Sequence, residues 1–373
     1  MKFLHTADLH LDSPFCALGA ESAEGRRERQ RSVLKKIFKL AADEKCDMLL
    51  IAGDLFDGSF VSDSTARCFF KLTEEIGIPV VVSAGNHDPF TPSSIYARKD
   101  IPSNLYAFSS NELQVFSFPE LDTEILGYSF TSAVISESPL SNSEPIERDH
   151  KNRLLLAHGD FGAPISRYSP ITESDIDKFG VDYAALGHIH QRSEQVTDGG
   201  APVVYCGFAE GRSFDEEGEG GAYIVELSDG KADYKWHKLS DIIYVSETLD
   251  ISGAKDGDGV VDLIKRAVTS EQYKNRAHVR LTLVGAIDPD ELYSIDSLSE
   301  SLKGELLSLD IRNETIPALS ASYLEQDPTI RGELYRSLLP KLTGSDPNQR
   351  RVAARALAIG LAAIDGRSVF GRN

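Results

Sequence analysis

One pattern recurs along the chain: a short apolar run, a small residue, then a cluster of Asp, Asn or His. Its clearest instance is Met48 to Asp57, Met-Leu-Leu-Ile-Ala-Gly-Asp-Leu-Phe-Asp. A continuous apolar run bounded by Gly predicts a strand buried on both faces of a sheet, with Asp54 at its C-terminal rim. That rim is where open α/β sheets bind ligands. Four other runs behave alike. Lys2 to Ala7 delivers Asp8-Leu9-His10, and Pro79 to Ser83 delivers Gly85-Asn86-His87-Asp88. Arg153 to Ala157 delivers His158-Gly159-Asp160, and Tyr183 to Leu186 delivers Gly187-His188-Ile189-His190. In extended geometry alternate side chains share a face, so Asp8 and His10 are expected to reach one ion together.

Helical periodicity predicts a helix ending near Glu44 and another over Asp63 to Ile76. Ile135 to Asp149, rich in Ser, Pro and Glu, reads as a surface excursion. Strands near Pro202 to Cys206, Ala222 to Leu227 and Asp233 to Leu239 are expected to complete a second sheet. The acidic, Gly-rich Ser213 to Gly221 reads as a flexible loop near the site. Past Ser240 the composition shifts. A strand (Ile243 to Thr248), a helix (Gly259 to Ala267), a strand (His278 to Val284), a helix (Leu292 to Leu302) and a strand (Leu307 to Asn313) predict a small α/β module. Asp346-Pro347 signals a helix start, after which Val352, Ala356, Ile359 and Ala363, flanked by Leu357, Leu361 and Ile364, form an apolar face. From Pro328 onward eight Lys or Arg stand against three acidic residues.

Each polar cluster alone has a plain reading as a turn or a satisfied surface imidazole. Together they set five of the nine histidines just beyond a predicted strand. So many polar groups at one rim are costly unless something compensates them, and a pair of metal ions does so. Carboxylate, imidazole and amide oxygen without thiolate suit Mn, Fe or Zn, and are too nitrogen-rich for a Ca or Mg cage. Two divalent ions about 3.5 to 4 Å apart, bridged by a carboxylate, activate water for in-line attack on phosphate esters. Asp54, on the strand expected to be central, is the candidate bridge. His87 is then free to act as general acid on the leaving oxygen. Asp88 either orients that ring or caps a turn, and Arg212 either meets a phosphate or makes a structural ion pair.

With 373 residues, 41% of them apolar, the chain can bury a large core and split into two domains. No apolar run approaches the roughly 18 residues a membrane span requires, and no secretory signal pattern opens the chain. Cys16, Cys46, Cys68 and Cys206 lack paired spacing, as free thiols in a reducing cytoplasm would. A formal charge of -19 works against nucleic-acid binding, which favours a basic footprint. Arg26, Arg27, Arg29 and Arg31 are candidates for a local basic patch, interleaved with Glu24 and Glu28.

Asp8-x-His10, Gly53-Asp54, Gly85-Asn86-His87-Asp88, His158 and Gly187-His188-x-His190 together resemble, in order, the five-part signature of the calcineurin-like metallophosphoesterases. The resemblance covers roughly the first half of the chain and implies a four-layer α/β/β/α sandwich of two sheets. It implies Asp8, His10, Asp54 and His190 on one ion, Asp54, Asn86, His158 and His188 on the other, and His87 as general acid. Leu4 to Leu11 and Gly53 to Asp57 are similar to the DNA repair exonuclease branch of SbcD. Asp12-Ser13-Pro14-Phe15, Gly211-Arg212 and Gly218 to Gly221 look closer to the YhaO-type relatives. Where SbcD-type chains carry Gly-Ser-Pro, this one reads Gly207-Phe208-Ala209. The expected organisation is therefore a catalytic domain over 1–240, a capping α/β domain over 241–320 and a helical segment over 321–373. The expected activity is a cytoplasmic, Mn-dependent phosphodiesterase, an exonuclease-like enzyme of DNA repair. Its alternatives are a hydrolase of a small phosphorylated molecule and a subunit regulating an ATPase. Expected partners are DNA as substrate, an SMC-like ATPase engaged through the C-terminal helices, and a second copy of the chain; no membrane contact is expected.

Overall fold

The computed structural model describes residues 1–15, 20–58, 60–252, 254, 257–287, 305–317 and 321–364. It divides into two units, Met1–Ile243 and Tyr244–Asn373.

The first unit is built on two six-stranded sheets. One has the order β12-β11-β1-β2-β3-β4, with β1 (Lys2–Thr6), β2 (Met48–Ile51), β3 (Val80–Val82) and β4 (Leu105–Ala107) parallel. β11 (Gly221–Ser228) and β12 (Lys231–Lys238) extend it antiparallel beyond β1. The other sheet has the order β5-β6-β7-β8-β10-β9. There β6 (Thr123–Gly127), β7 (Asn152–His158), β8 (Tyr183–Gly187) and β10 (Pro202–Tyr205) are parallel, with β5 (Gln114–Phe118) and β9 (Ser193–Val196) as antiparallel edges. The last two strands expected in this second sheet thus belong to the first. Their alternation is satisfied by either sheet, and only the pairing of β11 with β1 decides. The strand carrying Asp54 is central, as its unbroken apolar run requires.

Strand alternation explains the layers. Leu49 and Ile51 of β2 face a core shared with α1 (Ala20–Asp43) and α2 (Asp63–Ile76), whereas Met48 and Leu50 face the other sheet. Likewise Leu154 and Leu156 of β7 enter the inter-sheet core, while Leu155 and Ala157 face α3 (Glu173–Phe179) through a third core. The order is therefore helix, sheet, sheet, helix. Ile135 and Leu140, inside the expected surface excursion, are buried in that third core. Cys46, Cys68 and Cys206 are free thiols. No described helix is long and apolar enough to cross a membrane.

Arg153 anchors the end of β7 opposite the site. It is 2% exposed, donates from Nε to Glu124 (2.6 Å), and reaches the carbonyls of Ile146, Phe179 and Glu147. Arg153→Ala leaves the Glu124 carboxylate buried and unpaired, so unfolding by denaturant is expected to show a loss of about 3–5 kcal/mol.

In the second unit, β13 (Ile243–Asp250), β14 (Ala277–Val284) and β16 (Ser308–Asn313) form a sheet, with α4 (Gly257–Val268) after β13. β15 (Ala286–Ile287) pairs with β17 (Ile316–Pro317). The helix expected over Leu292 to Leu302 lies outside the described residues. Three helices follow: α5 (Ala321–Gln326), α6 (Ile330–Leu342) and α7 (Pro347–Ile364). On α7 Leu357 and Leu361 pack with Leu324 and Tyr335, and Ala353 is buried. Leu357 and Leu361 belong to the expected apolar face, whereas Val352, Ala356 and Ala363 of that face are exposed.

Candidate metal centre

The segments leaving β1 and β2 run side by side. Asp8, His10 and Leu11 donate backbone N–H groups to Gly53 O (3.1 Å), Asp54 O (2.9 Å) and Leu55 O (2.8 Å). Asp8, His10 and Asp54 have φ of 53°, 45° and 46°, and His188 has φ 102°. Asp8 and His10 therefore do not meet by continuing the strand, as extended geometry would have it. Left-handed corners turn both side chains inward instead. Such backbone costs roughly 1–3 kcal/mol per residue and collects at functional sites. Glycine allows the close approach: a Cβ on Gly85 would overlap Asp54 Oδ1, and one on Gly53 would overlap His158 Nδ1. Gly85→Ala is expected to displace the Asp54 carboxylate and weaken divalent-ion binding by at least about tenfold, measured by titration calorimetry on the folded variant.

Three donor sets converge here. Asp8, His10 and His190; His10, Asp54 and His87; and Asp8, Asp54 and His158 each place one ligand atom per residue within 4.8 Å of the others. His10 Nε2 faces His190 Nε2 at 3.2 Å and Asp54 Oδ2 at 3.6 Å. His158 Nε2 lies 3.4 Å from Asp54 Oδ2 and 3.0 Å from Asn86 Oδ1. Asp54 Oδ2 thus stands between two imidazoles. His188 belongs to none of the three sets, but its backbone N–H donates to Asp8 Oδ1 (3.1 Å) and its ring lies 5.1 Å from that of His158.

The outer nitrogen of each inward imidazole faces an acceptor. His158 Nδ1 lies 2.9 Å from Ala52 O, His190 Nδ1 2.8 Å from Glu216 Oε1, and His10 Nδ1 3.4 Å from Asp57 Oδ1. A proton on Nδ1 of His158 and of His190 serves those acceptors and aims the Nε2 lone pairs inward, as in metal-binding histidines. Facing Nε2 lone pairs cannot satisfy each other, and a divalent cation among them fits the donor set. Burial opposes a charged His158, yet the Asp54 and Asp8 carboxylates hold its pKa up at about 9. Burial likewise opposes an ionised Asp54, but His158 and His10 hold its carboxyl well below the usual range. Burial instead lowers the pKa of His10 and brings that of His188 down to about 4.

Residues 1–192 match the family described as calcineurin-like phosphoesterase. The chain belongs to this family. An uncharacterized metallophosphoesterase, YhaO of Bacillus subtilis, is 30% identical over 298 residues, spanning 76% of this chain and 72% of that protein. A solved dimetal phosphatase from Danio rerio aligns at 11% identity with a TM-score of 0.44, over 64% of this chain and 96% of its own. The chain is accordingly a phosphoric ester hydrolase, and its chemistry is metal-dependent phosphoester hydrolysis.

Residues around the donor cluster shape this phosphoesterase site. The His87 backbone N–H donates to Asp54 Oδ1 (2.9 Å), and its half-exposed ring is fixed by Asp57, with Nδ1 2.8 Å from Oδ1. That hydrogen bond raises the His87 pKa, outweighing burial. Asp88 does not touch the His87 ring. It is buried and accepts from Gly85 N (2.8 Å), Phe56 N (3.2 Å) and the Tyr96 hydroxyl (2.6 Å), so it caps the turn. Burial, with Asp54 nearby, pushes its pKa up to about 7. Arg212 makes the structural ion pair: Nε donates to Glu216 Oε1 (3.0 Å), and Nη1 lies 3.7 Å from Asp57 Oδ2. Glu216, 4% exposed, anchors the loop expected to be flexible. Asp160, 3.3 Å from His188 Nε2, completes the surround. Asp57 and Asp160 could have been found as carboxylates two or three residues past a ligand; Glu216 has no such signal.

Proposed function

We propose that this chain is a two-metal phosphodiesterase that cleaves DNA, an exonuclease-like enzyme of the SbcD and YhaO branch. The observation that carries the reading is Asp54 Oδ2 set between the inward Nε2 atoms of His10 and His158. Asp8, His10, Asp54 and His190 would hold one divalent ion, and Asp54, Asn86, His158 and His188 the other, with Mn favoured and Fe or Zn also suited to these donors. Ions bound there would supply a nucleophilic water at neutral pH and offset charge on the phosphoryl oxygens. His87 donates a proton to the leaving oxygen, and Asp57 holds its ring in place. DNA as the substrate rests on the similarity of Leu4 to Leu11 and Gly53 to Asp57 to the repair branch.

A small phosphorylated substrate is favoured by one observation. The candidate basic patch is largely neutralised, because Arg27 pairs with Glu24 (2.9 Å) and Arg31 with Glu24 (2.6 Å) and Glu28 (2.8 Å). Manganese-dependent hydrolysis of labelled duplex and single-stranded DNA, beside bis-p-nitrophenyl phosphate, separates the two readings. Cleavage of both kinds of substrate supports the nuclease; cleavage of the small ester alone rules out DNA for this chain by itself. The exposed Val352 on α7 is the proposed contact for an SMC-like ATPase, in whose presence the same assay is repeated.

A further inference from the structure

We propose that the pocket beside His190 binds the nucleoside adjoining the scissile phosphate, with Arg192 and Trp236 as the stacking surface for its base. This rests on the DNA phosphodiesterase reading and extends it from the phosphate to the base. The pocket has a volume of about 430 Å³ and is lined by His190, Arg192, Phe208, Glu217, Glu219 and Trp236, among others. Small-molecule sites run from roughly 300 to 1,000 Å³. His190 belongs to both places: its Nε2 faces His10 in the donor cluster, while the residue lines this pocket. A ligand here adjoins a phosphate at the cluster.

Local backbone builds the pocket. Gly207 has φ 72°, and a Cβ there would lie 2.8 Å from His190 O. Phe208 N donates to the same carbonyl (3.2 Å), so the chain leaving β10 presses onto the His190 segment and sets Phe208 in the wall. This is the Gly207-Phe208-Ala209 stretch that departs from the Gly-Ser-Pro of SbcD-type chains. The departure replaces a small polar residue with an aromatic one at a pocket wall.

The lining selects the ligand class. The Arg192 guanidinium carbon lies 4.7 Å from the centre of the Trp236 ring. Among the described residues Arg192 makes no ion pair, so its plane is available to a second flat group. Glu219 is engaged by Lys238 Nζ (3.0 Å) and the Ser240 hydroxyl (2.9 Å), and Glu217 adds a second carboxylate. Carboxylates in the wall disfavour another phosphate there, which favours a neutral base as the occupant. Stacking on aromatic rings and guanidinium planes is a general means of holding single-stranded bases. A chain of charge -19 would thereby recognise its substrate through a neutral base rather than through backbone charge.

Trp236 is the only tryptophan in the sequence, so tryptophan fluorescence reports on this pocket alone. The full chain is titrated with deoxyadenosine monophosphate and, separately, with deoxyribose phosphate, which keeps the phosphate and lacks the base. The expected result is a saturable fluorescence change with the first ligand only, and an affinity at least about tenfold weaker in Arg192→Ala. Arg192 is exposed, and thermal unfolding checks that the variant folds. Equal responses to both ligands, no response to either, or unchanged affinity in Arg192→Ala would overturn the pocket assignment. A base-dependent response in a protein that does not cleave DNA keeps the pocket and removes the nuclease reading. DNA cleavage with a silent tryptophan does the reverse.

Discussion

Asp54→Asn is expected to lower kcat on an activated phosphodiester by at least about 10³-fold, since the ions it would help to hold would supply several kcal/mol of charge stabilisation. Asp54 Oδ2 lies 3.6 Å from His10 Nε2 and 3.4 Å from His158 Nε2, so the substitution removes an anionic oxygen set between the two imidazoles. The variant should still fold. An amide oxygen can keep the hydrogen bond that Asp54 Oδ1 accepts from the His87 N–H, and it relieves repulsion on Asp8, whose buried carboxyl is raised partly by Asp54. Kinetics, ion content and thermal unfolding on one preparation check this. Lost activity with bound ions reduced and Tm retained is the expected combination; a collapse in Tm would make Asp54 a structural residue instead.

His87→Gln should cost about 10²- to 10⁴-fold in kcat where the leaving group is an alkoxide, the usual range for a general acid. The loss should shrink with p-nitrophenolate, which departs without needing a proton. Ion content should stay at the wild-type level. The geometry distinguishes these effects: the His87 ring is half-exposed and held by Asp57, beside the donor cluster. Equal losses on both leaving groups would show that His87 does something other than donate a proton.

The clustering of polar groups was legible wherever a candidate residue follows its own strand. Asp54 after β2, His158 at the end of β7 and His188 just past β8 combine an apolar run with a chemically distinctive residue, both local signals. Positions set by tertiary packing were not legible. Glu216 reaches His190 from a loop without periodicity, and its role exists only because β10 and β11 end where they do. The sheet to which β11 and β12 belong was invisible for a related reason, since alternation shows that a strand has two faces and not which neighbour it pairs with. Asp8 and His10 were brought together for the wrong reason: side-chain spacing suggested a strand, whereas paired left-handed corners do the work. The expected face of α7 is wider than the part that packs, because small alanines satisfy several helical faces equally, and only packing with Tyr335 and Leu324 picks the buried side.

The most direct measurement is to strip divalent ions from the protein, return manganese stepwise, and follow bound ions per chain together with hydrolysis of bis-p-nitrophenyl phosphate. A two-ion centre on the Asp54 rim predicts two bound ions per chain, activity that appears only as they bind, and loss of both in Asp54→Asn. Hydrolysis that persists without any ion, or ions that bind equally well to Asp54→Asn, would contradict it.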